Sequence, residues 1–140
     1  MYLATEAKIP PYYKDVPSMI LGWKSSLQST AIQIQKECAI YGWDGYDAEP
    51  ITQQSLVCTL SLISNLPEIS EPDIVPEPGG SIGLEWRSGK TKIMSMAIQD
   101  ESLIYAAILG PHNKHHGEEP FRPNELPRSI KEILFTHFGK

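Results

Sequence analysis

The sequence predicts an α+β fold: two N-terminal helices, a three- to four-stranded antiparallel β-meander, and a C-terminal helix packed in layers. Three observations carry this. Apolar residues recur at helical spacing from Ile20 to Ile63, the pattern then alternates strictly from Ile82 to Ile98, and helical spacing returns after Glu125. Helices before and after an antiparallel sheet are the mark of this class. A chain of 140 residues holds a single domain, 1–140, large enough to bury roughly two-thirds of its unfolded surface.

Residues 1–16, MYLATEAKIPPYYKDV, carry a Pro-Pro pair and no period, and read as an extended arm. Helix one is expected from about Ser18 to Tyr41. Its stripe of Ile20, Trp23, Leu27, Ala31, Ile34 and Cys38 follows the three-then-four spacing of one helix face. Gly42 stands where a helix needs a left-handed residue to end. Helix two is expected from Gln53 to Ser64. Thr52 can cap its first turn, and Ile51 and Leu56 have the spacing of a hydrophobic staple.

Ile82, Leu84 and Trp86 alternate with Gly83 and Glu85, and Met94, Met96 and Ile98 alternate with Ser95 and Ala97. The turn sequences RSGK and QDES and the apolar run Leu103 to Leu109 complete three strands. Asp73 to Pro76 would add a fourth at the edge, where proline is tolerated. Residues 110–124 read as a long loop, and Glu125 to Phe138 as the last helix.

The formal net charge of −5 argues against a nucleic-acid partner, since that affinity comes from neutralised phosphates. No run of Lys and Arg offers an exception: Arg122, Arg128 and Lys131 are interspersed with Glu125 and Glu132. Two cysteines, Cys38 and Cys58, without CxxC spacing read as buried free thiols. Without an apolar run near membrane-spanning length or a secretory leader, the expectation is a cytoplasmic protein with no membrane partner.

Four segments are candidate sites. GGSIG (Gly79–Gly83) matches the G-x-S-x-G of hydrolases, but that chemistry needs a strand, a sharp turn and a helix, and here Ser81 opens a strand. GPHNKHHGEE (Gly110–Glu119) would bring His112, His115 and His116 onto one face if a turn of helix formed between Pro111 and Gly117, with Glu118 or Glu119 as a fourth ligand. That set would suit a transition-metal ion, and a metal-binding protein or metal-dependent enzyme is the alternative reading. Trp86 faces the same way as Ile82 and Leu84, which suits the core; Glu85 then points outward with no acid–base partner named by the sequence. WDGYDAEP is the most distinctive. Gly45 supplies a positive φ in a tight turn and Asp44 bonds the local backbone. Trp43 and Tyr46 either pin a helix–helix corner, packed on helix one and Trp86, or anchor a partner, with Asp44, Asp47 and Glu49 as an acidic rim.

GWDGYDAEPIT, PEPGGSIGLEWR and LIYAAILG, within residues 42–52, 75–87 and 103–110, resemble an uncharacterised group of small bacterial and phage-borne proteins. Its pattern is W-D-G-Y-x-A-x-P followed by a G-x-[IV]-x-L-x-W strand; Asp47 stands where that pattern carries Gly. The resemblance implies no activity, and compact proteins of this kind are often partners or inhibitors of another protein. Together with the absence of a complete catalytic constellation, it favours a non-enzymatic binding or regulatory protein, antitoxin-like or immunity-like. Trp43, Asp44, Tyr46, Asp47 and Trp86 are its candidate binding residues. No catalytic residue, metal or cofactor is assigned; another protein is the expected partner, and a homodimer is compatible with the pattern.

Overall fold

The computed structural model describes residues 18–139; the expected arm at 1–16 lies outside them. The element order is α1 (Ser18–Glu37), α2 (Gln53–Ser64), β1 (Asp73–Pro76), β2 (Ile82–Ser88), β3 (Lys92–Gln99), β4 (Ser102–Leu109), β5 (Lys114–Pro120) and α3 (Arg128–Phe138). The α+β class is as expected. The sheet, however, has five strands, not three to four, in the simple antiparallel order β1-β2-β3-β4-β5.

The fifth strand corrects the loop expected at 110–124. KHHGEEP has no apolar alternation, and its exposure runs almost unbroken. Backbone pairing with β4 builds it, from Ile108 opposite Lys114 to Ser102 opposite Pro120. Exposed charged side chains suit an edge strand, because they discourage further pairing.

In α1 the stripe behaves as its spacing requires: Leu27, Ala31 and Cys38 are buried. The helix ends at Glu37, earlier than Tyr41, and Gly22 breaks its first turns with φ 72°. Gly42 has a positive φ, but inside the following loop, not at the helix end. Helix α2 has the expected limits. The Thr52 hydroxyl accepts from the Ser55 N–H at 3.0 Å, and Ile51 and Leu56 share one buried cluster. Helix α3 begins at Arg128, not Glu125, with Pro127 at its N-cap.

One face of the sheet supplies Leu84, Trp86, Met94, Met96 and Leu103 to the main core, joined by Leu62 and Ile63 of α2 and Ile130, Leu134 and Phe138 of α3. A second cluster of Ala31, Cys38, Ile51, Leu56 and Ile82 lies where α1, α2 and the start of β2 meet. The other sheet face carries Val75, Ile104 and Ile108, all exposed. No helix among the described residues is long and apolar enough to cross a membrane.

Candidate functional site

The loop between α1 and α2 is closed by backbone bonds. Ile51 N–H donates to the Cys38 carbonyl at 2.8 Å, Gly42 N–H to Ala48 at 2.8 Å, and Gly45 N–H to Gly42 at 2.9 Å. The Asp44 carboxylate accepts from the N–H of Tyr46 at 2.8 Å and of Ala48 at 3.3 Å. Gly45 has φ 88°, a conformation that glycine adopts without steric cost. These bonds close the loop through backbone groups and one carboxylate.

The two aromatic rings differ in burial. Trp43 is half-buried against the Ala31–Ile82 cluster, and its indole N–H donates to the Glu49 carbonyl at 2.7 Å. Tyr46 is 83% exposed. Asp47 is exposed, and Asp44 is half-buried and occupied by its backbone bonds. Two further residues, Ile40 at 71% and Tyr41 at 62% exposure, lie on the same loop. Sequence reasoning placed both inside helix one; the signal against this was Ile40, which falls off the stripe ending at Cys38.

Trp86 is withdrawn as a binding residue. It is 1% exposed, belongs to the main core and not to the cluster that holds Trp43, and spends its indole N–H on the Ser70 carbonyl at 2.9 Å. A side chain with no open surface cannot touch a partner.

The loop meets the turn between β1 and β2. Glu49 N–H donates to the Pro78 carbonyl at 2.8 Å, and the Ser55 hydroxyl to the Gly80 carbonyl at 3.2 Å. Segments 42–52 and 75–87 therefore abut. Beside their junction are two adjoining shallow clefts, of about 240 and 280 Å³, which share Thr52, Ser55, Ile98 and Asp100. Asp100 and Glu101 form one wall with φ of 50° and 68°, a strained conformation for non-glycine residues. Ser81 is buried at the turn, its hydroxyl donating to Glu77 at 2.9 Å; it leads into β2, with no helix behind it.

The histidine segment does not form the expected helical turn. In β5, His115 pairs with Ala107 and His116 with Ala106, so the pleat sends them to opposite faces. His115 shares a hydrogen bond with Asn113 at 2.6 Å. Among the described residues no three His, Cys, Asp or Glu side chains are placed to hold a metal ion.

Cys38 and Cys58 are free. Burial, aided by Glu37 for Cys38 and by Glu101 for Cys58, pushes both thiols above their ordinary pKa. Raised values keep the thiol protonated and poorly nucleophilic. Comparison of the chain with protein-family models, curated proteins and solved structures finds no match.

Proposed function

We propose that this protein is a non-enzymatic regulator that acts by binding another protein, an antitoxin-like or immunity-like role being its concrete form. The contact surface is the α1–α2 loop. The supporting observation is the pairing of rigidity with unused apolar surface: a loop locked by its own backbone bonds presents Ile40, Tyr41 and Tyr46 at 71%, 62% and 83% exposure. Tyrosine anchors on a preorganised loop bind with little ordering cost. Asp47 and Glu49, both exposed, supply a polar rim. In this reading the helices form one layer on the inner sheet face, and the loop protrudes where α1 and α2 join.

Affinity capture from native cells with the wild type and a Tyr41→Ala/Tyr46→Ala double variant tests this. The wild type retains a stoichiometric partner, and the variant loses it while melting at the same temperature, because neither ring is part of the core. Equal capture by both proteins, or a monomer that retains nothing, contradicts the reading.

A further inference from the structure

We propose that a groove at one end of the sheet binds a compact polyphosphate, meaning a small ligand with two or more adjacent phosphate groups. This site is distinct from the α1–α2 loop and does not depend on the function proposed for it. The sequence contains no run of basic residues, Arg122, Arg128 and Lys131 being the nearest to one; the fold assembles a different set. Arg87, Lys90 and Lys92 belong to the β2–β3 hairpin, and Lys114 opens β5. All four line one groove of about 400 Å³ with Ile93 and Ile108, Arg87 and Lys114 on the sheet face of the isoleucines and Lys92 on the opposite side of the pleat; no Asp or Glu is among its lining residues.

Register explains the convergence. Arg87 pairs with Ile93, Ile93 with Ile108, and Ile108 with Lys114. Residues opposite one another share a face, so these four form one rung across four strands. With neighbouring strands about 4.8 Å apart, the Arg87 and Lys114 backbones stand roughly 14 Å apart across an isoleucine floor. Lys90 lies in the turn between β2 and β3 and lines the same groove.

The charge here is out of keeping with the rest of the molecule. The chain carries a formal −5, yet four of the nine Lys and Arg residues in 18–139 line this one groove. Elsewhere three cations are matched: Arg122 with Glu125 at 3.5 Å, Arg128 with Glu132 at 3.8 Å, Lys24 with Glu68 at 4.0 Å. In the groove only Arg87 has a carboxylate, Glu85 at 3.1 Å. Lys90, Lys92 and Lys114 have no ion-pair partner among the described residues. Exposed lysines at hairpin tips can serve simply to keep edges apart. That role does not call for strand register to set Arg87 and Lys114 at the two ends of one apolar floor. Convergent like charges repel, and a multivalent anion between them relieves the repulsion.

The surroundings select a compact ligand. The floor is aliphatic, so it has no platform on which successive bases of a single strand could stack. Asp73, Glu85 and Glu118 lie on the same sheet face, because their register partners alternate with the core residues. A nucleic-acid backbone continuing past the groove would run into these carboxylates. A short chain of phosphates stays among the lysines, which bind phosphate as mobile point charges.

Calorimetric titration of the full chain with tripolyphosphate tests the proposal. The wild type binds at one site, and affinity falls as salt is raised. Lys90→Gln/Lys114→Gln weakens binding at least about tenfold, Lys90→Arg/Lys114→Arg restores it, and Lys131→Gln, outside the groove, leaves it unchanged. Amide shifts on titration concentrate at Gly89 and Gly110, which line the groove. A short single-stranded oligonucleotide at equal phosphate concentration binds more weakly. No binding at low salt, wild-type affinity in the folded Gln variant, shifts centred elsewhere, or tighter binding of the oligonucleotide each overturn the proposal.

Discussion

The backbone N–H of Glu49 donates to the carbonyl of Pro78 at 2.8 Å, tying the α1–α2 loop to the β1–β2 turn. Gly80 makes that contact possible. Its φ is 98°, and a Cβ there would meet the Pro50 carbonyl oxygen at 3.2 Å and Glu49 Cβ at 3.4 Å. Gly80→Ala should therefore cost about 1–3 kcal/mol through backbone strain alone, with crowding of the Pro50 carbonyl in addition. Urea denaturation reads the change as a lower midpoint at constant slope. An unchanged midpoint would mean the two segments are not held together at Gly80.

Asp44 holds the loop from inside. Asp44→Ala removes the acceptor for the Tyr46 and Ala48 N–H groups, and each net hydrogen bond is worth about 0.5–1.5 kcal/mol. The expected result is faster amide exchange at Tyr46 and Ala48, with protection in the β2–β4 core retained. Asp44→Asn keeps an acceptor oxygen and should preserve most of the protection. Equal exchange rates in the wild type and the alanine variant would show that the carboxylate does not order the loop.

Trp86 is a structural residue, and its substitutions should behave accordingly. Trp86→Ala should cost about 3–5 kcal/mol, the range for emptying a large core site. Trp86→Phe retains most of the volume but leaves the Ser70 carbonyl without its indole donor, a loss of about 1–3 kcal/mol. Thermal or chemical denaturation ranks the two. A Phe variant as unstable as the Ala variant would place the energy in the hydrogen bond, not the packing.

His137 supplies a pH dependence. Its Nδ1 is buried without a hydrogen-bond partner. Burial, with Lys92 and His115 nearby, holds its pKa below the ordinary 6.5. The folded state thus takes up this proton less readily than the unfolded chain. The group's contribution is complete above pH 6.5 and is lost as pH falls from there toward the lowered folded value. Stability should drop between pH 8 and pH 5 by more in the wild type than in His137→Leu. Parallel pH profiles of the urea midpoint would remove His137 as the cause.

Much of the fold was legible wherever burial imposes a period. Helix α2 carries a capping threonine, a staple and a stripe, and its limits were read correctly. Strands β2 and β3 alternate because only one face meets the core. Strand β5 was unreadable for the same reason: at an exposed edge its backbone does the pairing, and Lys114 to Pro120 need no apolar residues. Pro127 moved the start of α3, since proline has no N–H and disfavours helical geometry in the residue before it. In the candidate site, the turn-forming roles of Asp44 and Gly45 followed from local chemistry. The separation of Trp43 from Tyr46 did not, because exposure is set by tertiary contacts. The basic groove was invisible to any search for runs, since strand register alone brings Arg87 to the rung of Lys114.

Placing a photocrosslinking amino acid at Tyr46 in native cells tests the central claim most directly. The account predicts one discrete adduct with another protein, absent when the same probe replaces Glu132 on the exposed side of α3. No adduct at position 46, or identical adducts at both positions, would contradict the assignment of the α1–α2 loop as the contact surface.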